Sequence, residues 1–339
     1  MAIEIKILGK EDAESWDSVV YESLHGSIFH TWKWLKITET HTGYKLYPIV
    51  GYKGDEIIGI YPIFYRKRFG VKMIFSPPPY TAMSYLGPVI LNYEKVKEDK
   101  RLYNFSEFHK KVDEFLFSEL GANYASIYPP PKLIDCRPFK WTGYRIEPVF
   151  HYTLDLTGGS EYIWRQFKKG LRENVKTAKK RGIYFEEGGK EDLLLVYESL
   201  VNRYREQNRA VRVSKKYLLD LYDSFYPNNL RIFVAKYNGE HLSGIIALCF
   251  KETISFWIGA AKTDVKGLYP NDLLHWEGIK WACERGFKYY EEFGAGTERL
   301  ARFKSKYNPT LVVCFSARKY SSCFIKWLEL LYGKIRIKI

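Results

Sequence analysis

The residues whose types and spacing could do chemistry lie late in the chain, in residues 293–309. Gly294 and Gly296 open the backbone there, and a short predicted helix follows that carries Phe303 and Lys304. An ammonium held beside an open turn can stabilise the charge that builds on a carbonyl oxygen when an amine attacks an ester or thioester. The stretch therefore predicts an acyl-transfer site at Lys304, although read alone this residue fits a surface lysine.

Other kinds of catalytic site are not indicated. The seven His residues are dispersed, and the sequence has no HExxH, no CxxC and no Gly-x-Ser-x-Gly elbow. His30, His151 and His275 have apolar neighbours, and each is predicted to be structural. We therefore expect no metal and no side-chain nucleophile, and hence a transfer reaction between two bound substrates.

A strongly basic helix is predicted from Ser160 to Arg181. Its apolar residues recur every three or four positions: Ile163, Phe167, Leu171, Val175 and Ala178. Its other faces carry the basic residues Arg165, Lys169, Arg172, Lys176, Lys179 and Lys180. Because like charges one turn apart destabilise a helix, this face is predicted to bind phosphates or RNA. A merely solvated basic face is the alternative.

The charge of the chain is unevenly distributed. The net charge of the 339 residues is +14. Residues 1–150 hold 20 Lys and Arg against 18 Asp and Glu, whereas residues 151–339 hold 33 against 21. Such a basic surface favours an anionic partner, namely a nucleic acid, a phosphorylated cofactor or an anionic lipid, with solubility as the alternative.

The sequence contains no signal that would direct it out of a reducing compartment. No apolar run is long enough to span a membrane, and residues 1–8 alternate like a strand rather than a signal peptide. The five cysteines are an odd number and are widely spread. We expect a cytoplasmic protein without a transmembrane segment, with a position peripheral to the inner face of the membrane as the alternative.

The elements that must position these residues form two mixed α/β units. Residues 1–150 are predicted as one domain, with helices, a hairpin and no catalytic cluster, and residues 151–339 as a second. The last predicted helix, from Ser321 to Tyr332, is followed by a basic tail at 334–338. It is predicted to pack on its own sheet, with a membrane surface as the alternative.

The order of elements in residues 151–339 resembles a GNAT acyltransferase domain, and three motifs resemble the FemAB family of aminoacyl-tRNA-dependent transferases. These are the basic helix ending in glycine at 172–182, the segment of Pro and a leucine pair at 269–282, and the glycine turn followed by Phe303-Lys304. Residues 29–36 are similar to the family's early aromatic-Trp-Lys segment. The likeness thus extends over most of the chain.

The resemblance implies two GNAT-like domains in tandem, each a mixed, mostly antiparallel sheet flanked by helices. It implies transfer of an aminoacyl group to an amine of a phosphorylated or lipid-linked peptidoglycan precursor in cell-wall synthesis. Lys304 would stabilise the oxyanion, with Phe303 beside it, and no cofactor would be tightly bound. The residues implied to bind substrate are Trp34, Lys36, Arg209, Arg212, Tyr217, Tyr269 and Asn271.

Two differences from the GNAT and FemAB sequence patterns leave the identity of the acyl donor open. Residues 262–269 contain a single glycine where acyl-CoA-dependent GNAT enzymes have a Gly-rich pyrophosphate loop, which counts against acetyl-CoA. The helical hairpin of some FemAB proteins has no counterpart, which leaves the tRNA donor open. An acyl-CoA-dependent N-acyltransferase acting on a small amine or protein, and a non-catalytic RNA- or anionic-lipid-binding protein, are the alternatives.

Overall fold

The computed structural model describes residues 2–209, 211, 213–259 and 267–329. Arg212, most of the predicted loop at 262–269 and the basic tail lie outside these residues. The described chain forms two compact units: unit 1 comprises residues 2–149 and 313–329, and unit 2 comprises residues 150–312. Each has its own hydrophobic core, and each is a mostly antiparallel sheet with helices, as predicted.

Unit 1 is built on a sheet in the order β1-β2-β3-β4-β6-β13, with β5 paired to β3. β4 and β6 are parallel, and the other pairs are antiparallel. The strands are β1 (Ile3–Ile7), β2 (Lys45–Lys53), β3 (Glu56–Arg68), β4 (Val71–Ser76), β5 (Val89–Ile90), β6 (Tyr124–Ile127) and β13 (Thr310–Tyr320). The helices are α1 (Ala13–Glu22), α2 (Trp32–Thr42), α3 (Glu98–Glu114) and α4 (Arg137–Trp141).

Unit 2 repeats this plan with a sheet in the order β7-β12-β11-β10-β9-β8. Only β11 and β12 are parallel among the pairs that the structure describes in this unit. The strands are β7 (Arg145–Asp155), β8 (Tyr184–Gly188), β9 (Leu230–Tyr237), β10 (Glu240–Phe250), β11 (Thr253–Gly259) and β12 (Tyr289–Glu292). The helices are α5 (Gly159–Gln166), α6 (Lys169–Lys180), α7 (Lys190–Glu206), α8 (Lys215–Phe225), α9 (Pro270–Glu284) and α10 (Glu298–Lys304).

The predicted basic helix is two helices, because the chain is extended at Phe167 and Lys168. The break lets the Phe167 ring pack edge-on against Tyr307 at a centroid distance of 5.4 Å. It also lets the Lys168 N–H donate to the carbonyl of Lys306 at 3.1 Å. The single-helix prediction was therefore wrong at this point, although the whole predicted apolar stripe is buried.

The structure places the end of the described chain in unit 1, whereas the sequence predicted it in the second domain. The final strand was assigned to residues 151–339, yet residues 317–320 of β13 pair antiparallel with residues 124–127 of β6. The side chain of Lys319 also reaches Asp113 on α3. Residues 313–329 therefore belong to unit 1, because their strand completes the sheet of that unit.

Candidate functional site

Lys304 lies at the end of α10, and its side chain is buried beneath the glycine turn. The residue is 5% exposed. Its Nζ donates to the carbonyl oxygen of Phe293 and, at 3.3 Å, to that of Gly294. The Glu292 Oε1 lies 3.8 Å from the same Nζ. The predicted lysine is therefore a buried cation that fastens α10 to the end of β12.

The glycine turn has the backbone freedom that the sequence indicated. Gly294 has φ +81°, and a Cβ placed there would meet no atom within 4 Å. The N–H of Ala295 donates to the carbonyl of Phe150 at 2.9 Å, which ties the turn to β7. Thr297 occupies the N-cap position of α10, but its carbonyl, rather than its side chain, accepts the first helical bond.

Burial and a carboxylate act in opposite directions on the charge of Lys304. Burial lowers the pKa of Lys304, while Glu292 raises it in part. Burial likewise raises the pKa of Glu292, and the ammonium of Lys304 opposes that shift. Each group therefore favours the charged form of the other, as expected for two opposite charges that share a poorly solvated site.

A second buried ion pair supports the first. Asp272, on the first turn of α9, is 4% exposed and accepts a hydrogen bond from the Lys306 Nζ. The Asn174 side-chain amide on α6 donates to Asp272 Oδ2 at 2.8 Å. The Tyr307 hydroxyl lies 3.5 Å from Asp272 Oδ1. Asp272 thus connects α6, α9 and the turn after α10.

Aromatic rings surround both lysines. Phe303 is half-buried, and the Lys306 Nζ lies 4.0 Å from its ring centroid. His275 is buried and shares a hydrogen bond of 3.1 Å between its Nδ1 and the Tyr290 hydroxyl. Burial, helped by the two lysines, lowers the pKa of His275 to about 3. The imidazole is therefore neutral near pH 7, and the structural role predicted for it is confirmed.

His151 approaches the same turn from β7. Its ring packs edge-on against Phe293 at 5.4 Å between centroids. Burial and then Lys304 lower the pKa of His151 to about 4. Its Nδ1 is buried without a hydrogen-bond partner among the described residues. His30, the third predicted structural histidine, is buried and bonded to Ser27 and Leu86.

The basic helix presents its charges mostly to solvent. The Lys179 Nζ lies 2.5 Å from Glu277 Oε1, and looser pairs of 3.8 Å join Arg165 to Glu161 and Lys169 to Glu173. Lys176 and Lys180 are exposed, Arg172 is half-buried, and none of the three has an ion pair among the described residues. Part of this face is therefore a cationic surface whose charge is not neutralised within the described chain.

The predicted substrate-binding residues fall into two groups. Trp34 is fully buried against Phe29, and Tyr217 is 2% exposed in α8, so neither side chain is accessible in this structure. Both residues fill a core, because each belongs to the apolar side of its helix. The residues that remain accessible to some degree are Lys36, Arg209, Tyr269 and Asn271.

Among these four, two have described partners that limit their freedom. Lys36 is ion-paired to Glu39 one helical turn away. The Asn271 side-chain oxygen accepts a hydrogen bond from Ser243, which fixes the start of α9. Tyr269 has φ +52° immediately before α9, and it is 40% exposed. The structure does not describe Arg212.

The sequence interpretation missed Glu292 and Asp272, which the structure places beside the two lysines. Glu292 lies on the same face of β12 as the buried Tyr290, because alternate residues of a strand share a face. This alternation was the one sequence signal that could have predicted the burial of Glu292. Asp272 comes two residues after Pro270 at a helix start, a position that equally suits an ordinary first-turn carboxylate. No sequence pattern indicated that these acids would face Lys304 and Lys306.

Unit 1 holds a comparable buried cluster around His109 of α3. Burial, followed by the charge of Lys319, lowers the pKa of His109 to about 3. Lys319 donates to Asp113 Oδ2 at 2.5 Å. The rings of Tyr61 and Tyr144 pack beside the imidazole, at 6.2 and 5.4 Å between centroids. The cluster thus contains a buried histidine, a lysine and a carboxylate, but no glycine turn.

Three further findings concern the described residues as a whole. Among them, no group of three or more His, Cys, Asp and Glu side chains is placed to hold a metal ion. None of the described helices combines the length and the apolar character that crossing a membrane requires. The cysteines that the structure describes are all free thiols.

Comparisons with known proteins show what the chain is similar to. Residues 165–305 match the family model described as an acetyltransferase (GNAT) domain. No protein of curated function matches the chain. Among solved structures, FemX is similar with a TM-score of 0.71 and 13% identity, over 96% of this chain and 99% of that chain.

Two other solved structures share the fold. The C-terminal domain of a putative lysylphosphatidylglycerol synthetase from Agrobacterium fabrum aligns with a TM-score of 0.55 and 15% identity, over 96% of each chain. A tandem GNAT protein from the clavulanic acid biosynthesis pathway aligns with a TM-score of 0.56 and 10% identity, over 94% of this chain and 99% of that chain. Residues 165–305 therefore match a GNAT domain, and the chain shares its overall fold with FemX and with a tandem GNAT protein.

Proposed function

We propose that this acyltransferase moves an aminoacyl group from aminoacyl-tRNA to an amine of a phosphorylated or lipid-linked acceptor. The observation that carries the proposal is the buried Lys304 ammonium beneath the glycine turn at the end of β12. The similar FemX and the putative lysylphosphatidylglycerol synthetase support the aminoacyl class. The name of the second denotes lysine joined to a phospholipid, which supports a lipid-linked acceptor.

The reaction would need little beyond orientation and charge stabilisation. The acceptor nitrogen bonds to the ester carbonyl carbon, the carbon–oxygen bond of the ester breaks, and the proton released by the amine goes to the departing ester oxygen, which becomes a hydroxyl. Negative charge builds on the carbonyl oxygen in between, and a nearby ammonium lowers the energy of that state. We assign this role to Lys304, with Phe303 beside it limiting the access of water.

The arrangement sets one condition on this role. The Lys304 Nζ donates two of its three N–H groups to the carbonyls of Phe293 and Gly294, so the substrate oxygen must either reach the third N–H or displace one of these carbonyls. The φ of +81° and the open space at Gly294 make a small rotation of that peptide the easiest way to do so. Glu292 would hold the ammonium in place during the exchange.

The basic face of α5 and α6 is the proposed contact for the tRNA phosphates. The residues assigned to it are Arg165, Lys169, Arg172, Lys176, Lys179 and Lys180. Three of these, Arg172, Lys176 and Lys180, have no ion pair within the described chain, so their neutralisation by phosphate would cost no internal contact. The substrate contacts proposed outside this face are Lys36, Arg209, Arg212, Tyr269 and Asn271.

A donor assay tests the proposal directly. The purified chain is given a mixture of radiolabelled aminoacyl-tRNAs or labelled acetyl-CoA, each with lipid-linked precursor amines or phosphatidylglycerol vesicles as acceptors. We expect label to reach an acceptor from aminoacyl-tRNA and not from acetyl-CoA. Transfer from acetyl-CoA alone would establish the second candidate, an acyl-CoA-dependent N-acyltransferase, which the description of the matched GNAT family favours. Transfer from neither donor would favour a non-catalytic RNA- or anionic-lipid-binding protein.

Charge reversal tests the tRNA-binding face separately. We expect Arg172→Glu, Lys176→Glu and Lys180→Glu together to weaken tRNA binding by at least tenfold at low salt, and to reduce the slope of log affinity against log salt by about 3. The matched control reverses Lys97, Lys100 and Lys110, three exposed lysines of unit 1, and changes the net charge equally. Equal loss in the two triple variants would contradict a specific role for α6.

A further inference from the structure

The last described helical residues carry an apolar face that nothing in the described chain covers. Residues 323–329 are helical and begin shortly after β13. The Ser322 hydroxyl accepts the N–H of Ile325 at 3.3 Å, which caps the start of this segment. Phe324, Trp327 and Leu328 are 66%, 61% and 37% exposed. We call these three residues the C-terminal apolar face.

The spacing of the three residues makes them a continuous surface. Positions i, i+3 and i+4 of a helix lie on the same side, so Phe324 is next to both Trp327 and Leu328. Isolated exposed apolar residues are ordinary, whereas a contiguous group that includes two aromatic rings indicates a binding surface. Other highly exposed aromatics of unit 1, such as Phe69 and Trp141, are far from each other along the chain.

The charges around the face favour one kind of partner. Lys326 is exposed on the same helix, and after Glu329 the sequence contains Lys334, Arg336 and Lys338 with no acidic residue. A second copy of this chain would bring the same positive charges, within a net charge of +14 for each copy, to the same place. An anionic surface complements them, and a Trp and Phe flanked by cations are suited to the headgroup region of a bilayer.

We propose that the C-terminal apolar face docks on a bilayer that contains anionic lipids. The two rings and Leu328 enter the boundary between headgroups and acyl chains, and Lys326 contacts the lipid phosphates. Interfacial binding combines buried apolar area with electrostatic attraction between the cations and the anionic lipids. The docking does not depend on which group the enzyme transfers, and it would keep the chain beside lipid-linked molecules.

Vesicle sedimentation tests the docking with the full chain and without donor or acceptor. Sucrose-loaded vesicles of phosphatidylcholine, with or without phosphatidylglycerol, are mixed with the wild type and with a Phe324→Ser/Trp327→Ser variant. The control variant is Phe69→Ser/Trp141→Ser, which removes exposed aromatics elsewhere on unit 1. Neither variant changes the net charge, so non-specific attraction to anionic vesicles is the same in all three proteins.

We expect the C-terminal variant to bind vesicles containing phosphatidylglycerol at least tenfold more weakly than the wild type, and the control to change by less than twofold. We also expect little binding to pure phosphatidylcholine. Equal binding by all three proteins would overturn the proposal. So would a wild-type dimer in light scattering that the C-terminal variant converts to a monomer without any vesicle binding, which would identify a second copy as the partner.

The thermal stability of the C-terminal variant provides a further test of the proposal. The melting temperature of the C-terminal variant should equal that of the wild type if the face is open in the free protein. A clear fall would show that the chain itself covers the face, and that result would also overturn the proposal. Because donor transfer is not part of the measurement, failure here leaves the proposed aminoacyl transfer unaffected.

Discussion

The two units of the chain share one plan and differ at one point of that plan. In each, an antiparallel meander leads into a helix, and the strand after that helix pairs parallel with the last strand of the meander. In each, the helix carries a buried neutral histidine, His109 in α3 and His275 in α9. The order of strands and helices therefore does not distinguish unit 2, which matches the GNAT family, from unit 1.

The difference lies in the segment that comes after the parallel strand. After β12 the chain makes a glycine turn and returns as α10, which brings Lys304 to the carbonyls at the end of the strand. After β6 the chain continues through three prolines, and the cation of the unit 1 cluster, Lys319, comes from β13 and pairs with Asp113. A buried lysine next to an adaptable backbone can serve chemistry, whereas one that only balances a carboxylate serves stability. We infer that the activity depends on unit 2.

The largest expected effect comes from removing a buried carboxylate in either unit. Asp272→Ala leaves Lys306 without its partner, and Asp113→Ala does the same to Lys319. Breaking a buried pair costs about 3–5 kcal/mol of unfolding free energy, toward the lower end here because both lysines are partly exposed. Denaturant unfolding should show a loss in both variants, but only Asp272→Ala should lower the turnover of the folded protein. A normal turnover for that variant would contradict the role given to the second ion pair.

A smaller effect is expected where a glycine lets a sheet and a helix approach closely. A Cβ at Gly51 of β2 would lie 2.6 Å from the ring of Phe108 in α3, and one at Gly278 of α9 would lie 2.4 Å from the ring of Phe256 in β11. Valine at either position should therefore cost about 1–3 kcal/mol through overpacking. The measurement is again denaturant unfolding.

The control for this pair is Gly170→Ala, since a Cβ at Gly170 meets no atom within 4 Å. If the units differ as proposed, Gly278→Val lowers turnover of the folded protein because it displaces α9, and Gly51→Val does not. Equal turnover in the two valine variants would remove the functional distinction between the helices.

The smallest change in turnover at neutral pH is expected from Glu292→Gln, whose main effect should be on the pH dependence of the activity. The Glu292 carboxylate raises the pKa of Lys304 against the effect of burial, so its removal lowers that pKa further. Activity that needs the ammonium is lost as pH rises through this pKa, and the alkaline limb of the pH–rate profile should therefore move to lower pH. The control is Glu291→Gln, on the opposite face of β12, which should leave the limb in place. An alkaline limb that stays at the same pH in both variants would contradict the effect of Glu292 on the pKa of Lys304.

Much of the fold was predictable because it rests on local signals. Asn238-Gly239, a dipeptide typical of two-residue hairpin turns, joins β9 to β10, and the predicted apolar stripe of α5 and α6 is buried. The break between those helices was not predictable, because Phe167 continues the apolar stripe. The break allows Phe167 to pack on Tyr307, and Tyr307 is distant along the chain. The place of β13 in unit 1 likewise depends on a pairing with β6 that no local pattern indicates.

The site was predictable only in part, for a similar reason. Lys304 comes after a glycine turn, and that pattern marked it. The buried partners Glu292 and Asp272 come from β12 and α9, and their approach to the lysines depends on how those elements pack. The burial of Trp34 and Tyr217 likewise depends on how α2 and α8 pack, which the local sequence does not indicate.

The measurement that tests the central claim most directly compares Lys304→Ala with Lys319→Ala in the transfer assay, with unfolding free energy measured in parallel. We expect Lys304→Ala to lower kcat by about 10²–10³ with little change in KM, because an interaction made in the transition state is lost. Lys319→Ala should lose stability and keep its kcat. A kcat for folded Lys304→Ala within about twofold of the wild type, or an equal loss in both variants, would contradict a catalytic role for Lys304.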